Sequence, residues 1–300
     1  MTTSTISPDR TDPLYPCARQ PVLSHESLCA WLAGRSFPSS SLPVALLPIG
    51  PSALAFLTQL RENNIHLLVN EAPLWEQAWN KRGLLILLVQ QECEEDTDAV
   101  LALAEQVRET GFGMHTLCVS LSPVAGADSV QQRRSENALQ ALRTHLDAVM
   151  RVPNTPEGTA EAVDWLQQVL EDMALLLREN TTSGFNIEDI TSSLRDAGNA
   201  IWVSVQTSGL DKAEKIGAKM MAHPYLAGRD LSMVRNVLIS VHSAPKFPSL
   251  RETRMVLDSL LKNISIDASV IFIAQNYASL GDTLRVNMLL TGSLDSLAER

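Results

Sequence analysis

The chain has 300 residues, with 24 Lys and Arg against 34 Asp and Glu, a formal net charge of −10 at pH 7. Hydrophobic residues make up 45% and charged residues 19%, which supplies a core and excludes a chain disordered throughout. The acidic balance excludes a nucleic-acid binder that relies on bulk positive charge, and no nucleic-acid partner is expected.

Residues 1–43 are rich in proline and in Ser clusters such as Phe37-Pro-Ser-Ser-Ser-Leu-Pro43. Such a composition resists regular structure and reads as a flexible extension. Within it, Leu23–Trp31 reads as one short helix. From Val44 onward, apolar runs alternate with amphipathic stretches. Strands are expected at Val44–Ile49, Ile65–Val69, Leu84–Val89, Thr116–Leu121 and Ala148–Val152, and helices at Ser52–Arg61, Thr97–Glu109 and Val130–His145. Strands without polar alternation, each followed by a helix, indicate a doubly wound parallel sheet covered on both faces. A long helix follows over Thr159–Arg178, with apolar residues at three- and four-residue spacing. After Glu179–Gly184 the order becomes strand Ala200–Gln206, helix Leu210–Ala222, strand Asn236–Val241, helix Leu250–Leu261, and strands Ala268–Ala274 and Thr283–Leu290. Two strands in succession at the end imply an antiparallel pair in a small mixed sheet, a second α+β domain.

Cys17, Cys29, Cys93 and Cys118 have neither the spacing of a metal site nor the density of a disulfide scaffold, and read as free thiols in a reducing compartment. The first residues lack the order of a signal peptide, and no apolar run reaches the length that spans a bilayer. A cytoplasmic protein with no direct transmembrane anchor is expected. The six histidines are scattered singly. No Gly-x-Ser-x-Gly elbow, His-Glu-x-x-His pair or Walker lysine is present, so neither an enzyme nor a bound metal or cofactor is expected.

The stretch Ala197-Gly-Asn-Ala-Ile-Trp-Val-Ser-Val-Gln-Thr-Ser-Gly-Leu-Asp-Lys-Ala213, with His223-Pro-Tyr-Leu226, resembles the second domain of the FtsZ branch of the tubulin superfamily. Val237-Leu-Ile-Ser240, Ala268-Ser-Val-Ile271, Leu284-Arg-Val-Asn287 and Thr291-Gly292 continue the resemblance in order, and Ala141–Asp147 with Val152-Pro-Asn154 extends it upstream. The resemblance implies an FtsZ/tubulin-like α/β fold: a doubly wound N-terminal domain, a central helix and a smaller α+β C-terminal domain. It places the extension at 1–43, a degenerate nucleotide-binding-like domain with the central helix at 44–180, and the FtsZ-like C-terminal domain at 181–300. In that family GTP lies between successive subunits of a filament, and a loop after the central helix supplies acids to the nucleotide below.

The glycines that would crowd amides around phosphate are absent. The first phosphate turn is Leu47-Pro-Ile-Gly-Pro-Ser52, with Gly50 alone remaining. Where the resemblance calls for the glycine-rich signature, the chain reads Gln90-Gln-Glu-Cys-Glu-Glu-Asp-Thr-Asp98, five acids and no glycine. Each carboxylate facing a triphosphate costs on the order of 1 kcal/mol even with water-like screening. The same acids suit a helix N-terminus, where carboxylates take the place of phosphate. Glu71–Arg82 is too short for a further phosphate loop, and Pro123–Gln132 lacks the ribose-associated stretch. On the guanine side, Asn154 and Asp164 stand at the family's base-reading positions as degenerate candidates, with Ala160 replacing the stacking Phe. The assembly loop resembles Phe185-Asn-Ile-Glu-Asp-Ile190, giving Asn186, Glu188 and Asp189 as candidates, and Thr191 replaces the second acid. Thr191 is a poor proton acceptor.

The resemblance therefore implies a non-catalytic FtsZ-like protein that assembles head-to-tail with itself, or binds and regulates an FtsZ-like partner. The alternatives are a divergent but active GTPase and a monomeric adaptor. Any membrane attachment is expected through the extension or another protein.

Overall fold

The computed structural model describes residues 44–50, 53, 56, 83–90, 94–109, 114–121, 129–152, 159–176, 187–244, 248–276 and 280–294. The extension, the strand expected at Ile65–Val69, and the helix expected at Ser52–Arg61 lie outside them, apart from Ala53 and Phe56, which are helical and buried.

The apolar runs become the interior of a sheet because strands buried on both faces have no use for polar alternation. β1 (Val44–Ile49), β2 (Gly83–Gln90), β3 (Met114–Leu121) and β4 (Ala148–Val152) pair in parallel, in that order. In β2, Leu84, Ile86 and Leu88 enter one hydrophobic cluster and Leu85, Leu87 and Val89 another, the period-2 signature of a strand with a core on each side. α1 (Glu94–Glu109) and α2 (Ser129–His145) cover the second of these faces. α3 (Thr159–Leu176) and α4 (Ile187–Leu194) cover the first. The apolar stripe of α3, from Ala162 through Leu166, Val169, Leu170 and Met173 to Leu176, is buried as its spacing predicts.

β5 (Gly198–Ser208) continues the sheet, parallel to β4 through Ala148↔Gly198 to Met150↔Ala200. After α5 (Lys212–Met221) come β6 (Val234–Ser243), α6 (Leu250–Leu261), β7 (Ser269–Asn276) and β8 (Thr283–Gly292). The eight strands form one sheet in the order β1-β2-β3-β4-β5-β8-β6-β7. This corrects the expectation of an antiparallel pair at the end. β7 pairs with β6 in parallel, while β8 runs antiparallel to both β5 and β6 and lies between them. Adjacency in sequence misled because Leu284, Val286, Met288 and Leu290 on one face, and Leu289 on the other, are fully buried, which demands a central position. The four strands of the second half are also continuous with the first half rather than a separate small sheet. α5 and α6 cover the face opposite α3, closing a cluster around Ile216, Met220, Val256 and Leu260.

Asp147 ties the N-terminal edge of the sheet together. Its carboxylate accepts from the Thr116 backbone N–H at 2.8 Å and the Thr116 hydroxyl at 3.1 Å, and its carbonyl accepts from the Ala197 and Gly198 N–H groups. Burial acts to raise its pKa, but the hydrogen bonds and His115, 3.6 Å away, hold it below the ordinary value.

Candidate functional site

Seven of the eight strands point the same way, so their C-terminal ends share one edge, where loops of doubly wound sheets hold ligands. At the end of β1, Gly50 takes φ +83°, a conformation that suits glycine. The Asp96 carboxyl from the first turn of α1 packs against Gly50 so closely that a Cβ at position 50 would land within it. An anionic group of the chain itself thus occupies the space beside this turn. Glu94, Glu95 and Asp96 form the acidic first turn, where carboxylates complement the helix dipole. Glu95 and Asp98 are exposed, and Glu94 meets Arg134 at 3.5 Å with both side chains well solvated, a pair of little energetic weight. Gly50→Ala is expected to cost about 1–3 kcal/mol in chemical denaturation, from backbone strain and displacement of Asp96. Adding Asp96→Ala should recover the steric part, and an unchanged midpoint in Gly50→Ala would contradict the packing.

Of the guanine-side candidates, Asn154 lies outside the described residues, and Asp164 is exposed on α3. Among the described residues no hydrogen bond or ion pair joins Asp164 to Gly50 or Asp96. No group of three or more His, Cys, Asp or Glu among them could hold a metal ion.

In the assembly segment, Asn186 also lies outside the described residues, but Glu188 and Asp189 do not belong to a loop. They begin α4, whose buried Ile190, Thr191 and Leu194 fix it to the sheet. The spacing of Ile187, Ile190, Thr191 and Leu194 carried that signal. Glu188 is exposed, whereas Thr191 turns inward and its hydroxyl donates to the Glu188 carbonyl at 3.3 Å. The Ser193 carbonyl near the helix end accepts from the Thr291 hydroxyl at 2.7 Å and Asn236 Nδ2 at 3.3 Å, docking α4 onto β8 and β6.

Sequence reading missed a polar band on the α3 face of the second half. Gln206, Arg285, His242 and Gln275 form one row across β5, β8, β6 and β7, and Ser204, Asn287 and Ser240 form the next. Polar residues two apart inside apolar strands, Ser204/Gln206, Ser240/His242 and Arg285/Asn287, were the available signal. From α3, fully buried Asp172 reaches Arg285 at 3.2 Å and accepts from Gln168 at 3.1 Å. Gln206, oriented oxygen-first, accepts from the same guanidinium. Burial pushes Asp172 up to about 6, against the opposing pull of Arg285. Ser204 and Trp202 act on the carboxylate, yet neither closes a hydrogen bond to Oδ2. His242 is driven down to about 4, first by burial and then by Arg285, and therefore stays neutral. Its Nε2 lies 3.0 Å from the Ser240 hydroxyl while Nδ1 has no partner.

Residues 198–294 match the family described as FtsZ family, C-terminal domain. Among curated proteins, "Cell division protein FtsZ 1" of Archaeoglobus fulgidus is 24% identical over 207 residues, 65% of this chain and 55% of that protein. "Cell division protein FtsZ" of Bartonella bacilliformis is 25% identical over 215 residues, 67% of this chain and 36% of that protein. The matched part of the chain spans about half or less of these relatives. Among solved structures, an empty FtsZ dimer of M. jannaschii is similar in fold, with TM-score 0.63 and 15% identity over 89% of this chain and 91% of that one. CetZ of Methanosaeta thermophila follows with TM-score 0.60 and 12% identity over 86% and 89% of the two chains. No described helix is long and apolar enough to cross a membrane.

Proposed function

Because the chain belongs to the FtsZ/tubulin superfamily, we propose that it is a non-catalytic FtsZ-like scaffold whose copies stack head-to-tail without nucleotide, in the service of cell division. Fold alone does not dictate activity. The observation that carries the reading is the Asp96 carboxyl packed against Gly50, at the turn where the superfamily places phosphate. A triphosphate entering there would meet Asp96, Glu94, Glu95 and Asp98 rather than bare amides, and like charges at contact distance repel. On the other side of the subunit contact, Thr191 is buried where the family's second acid would stand, which removes the acceptor that orients a water.

Stacking the N-terminal ends of one copy's strands on the C-terminal ends of the next copy's would be a heterologous contact, of the kind that propagates into a filament. Binding and regulation of an FtsZ-like partner through one such set of strand ends is the related role. Sedimentation and electron microscopy without nucleotide, with the chain alone and with an FtsZ-like protein, should show polymers or co-pelleting. Calorimetry with GTP and magnesium should show no heat of binding. Micromolar binding with turnover above a buffer blank would instead establish a divergent, active GTPase.

A further inference from the structure

The sheet ends sideways at β7, which is last in the strand order and, among the described residues, pairs with β6 alone. A strand in that place turns the backbone N–H and C=O of every second residue outward, and proteins blunt such a side with charges, proline, bulges or brevity. β7 shows none of these. It runs for eight residues, Ser-Val-Ile-Phe-Ile-Ala-Gln-Asn, without charge or proline. Its register with β6 is unbroken from Asn236↔Ser269 to Ser243↔Asn276. At the other end of the strand order, β1 carries Pro48.

The helix beside β7 is apolar on its outer flank. α6 sets Val256 and Leu260 into the core. Ser259 faces α5, where it packs so closely on Gly217 that a Cβ at position 217 would land on its hydroxyl. α5 lies over β5 and β8, so the side of α6 opposite Ser259 looks out over β7. At about 100° per residue that side bears Leu250, Leu257 and Leu261. Leu250 is 90% exposed, and Leu257 and Leu261 are half-buried. On the same face of β7 stand Val270, 42% exposed, and half-buried Phe272 and Ala274. An outward-turned backbone and an apolar helix flank thus run side by side.

We propose that β7 pairs antiparallel with β7 of a second copy about a two-fold axis, so that two sheets become one. The strand is its own complement. With the axis at Phe272, Ile271 faces the second copy's Ile273 and Val270 faces its Ala274, apolar pairs with no like charges opposed. The charges around the strand match in the same way. Arg251, Arg254 and Asp258 are exposed on α6, and Lys262 and Asp267 on the path from α6 to β7. The two-fold turns the Arg254 level of one α6 toward the Asp258 level of the other, and Arg251 toward the stretch holding Lys262 and Asp267. Glu252 is engaged in the capping box of α6, and Asp282 with Lys212. An acidic or a basic peptide finds no field of opposite sign here, whereas a second copy fits both the uncharged strand and the alternating charges. Such an isologous contact closes at two copies. It lies along the side of the sheet and does not depend on head-to-tail stacking.

Sedimentation velocity of the full chain without nucleotide should show a dimer. Ser269→Lys with Val270→Lys, both at exposed positions, should raise its dissociation constant by about tenfold or more, because lysines blunt a strand edge. Val270→Lys and Ala274→Glu should each weaken the dimer alone, and their equimolar mixture should regain it, since the two-fold sets position 270 against position 274. Val130→Lys removes an exposed apolar side chain from α2 and is the control that should dimerise normally. Circular dichroism confirms that each variant is folded. A dimer unchanged in the double lysine variant, one lost equally in Val130→Lys, or a mixture that regains nothing overturns the strand pairing. A full chain that stays monomeric, or that associates only on adding an FtsZ-like protein, overturns the second copy as occupant. Stacked polymers sediment faster than a dimer and should persist in the double lysine variant, so failure of one contact is read apart from failure of the other.

Discussion

Arg285→Ala is expected to lower the unfolding free energy by about 3–5 kcal/mol at neutral pH, because it strands a buried carboxylate. Asp172 is fully buried, among the described residues its one ion pair is with Arg285, and its second oxygen lacks a hydrogen bond. The pH dependence has a definite sign. Asp172 titrates at about 6 in the folded chain against an ordinary 3.8, so the folded state prefers its proton. The stability this group lends is therefore complete below 3.8 and is lost as pH rises through about 6. Without Arg285 the folded value rises further, so the deficit of the variant should be greatest at neutral pH and narrow toward pH 4. Asp147 works with the opposite sign. Its depressed pKa gives stability that is lost only as pH falls below the ordinary range. His242 shares the interval above it with Asp172. Held down to about 4 from an ordinary 6.5, it costs stability as pH falls through that interval. Because burial and then Arg285 cause the depression, removing Arg285 eases that loss and narrows the deficit toward pH 4 in the same direction. Urea unfolding of both proteins across this interval is the measurement. A deficit under roughly 1 kcal/mol that ignores pH would refute the buried pair.

Trp202→Ala should cost about 3–5 kcal/mol, the range for deleting a large side chain from a close-packed core. Trp202 is fully buried on β5, in the row Trp202–Leu289–Leu238–Ile271, and belongs to the cluster that runs from Leu46 on β1 to Ile273 on β7. The loss is felt in both halves, so unfolding followed by far-ultraviolet circular dichroism should remain a single transition shifted to lower denaturant. Trp202→Phe should cost much less, because the indole N–H has no hydrogen-bond partner to lose. Equal losses in the two variants would mean that the N–H, not the packing, holds the site.

Local pattern located the elements well. Val44–Ile49, Ala148–Val152 and Leu250–Leu261 run over the residues expected, since each combines a strong periodicity with clear terminal signals. Ser249 and Glu252 show such a signal as a capping box at the start of α6. Pairing was less legible, because the place of β8 depends on burial against two distant strands and not on its neighbours in sequence. α4 was hidden behind its family likeness to a loop, although its apolar spacing was helical. In the candidate site, the acids of Glu94–Asp98 were readable as a helix start, but contact between Asp96 and Gly50 joins residues far apart in sequence. The band of Gln206, Arg285, His242 and Gln275 escaped because single polar residues in separate strands mean little until register aligns them.

The central place of β8 has a consequence for biosynthesis. A ribosome finishes β6 and β7 before it makes the strand that stitches them to β5, so the nascent second half is held open until residues 283–292 emerge. Until then, the edges of β5 and β6 that will flank it offer unsatisfied amides and carbonyls to any extended peptide nearby. A chaperone that shields this slot, or a short peptide of β8 sequence that competes for it, would control how much newly made protein matures.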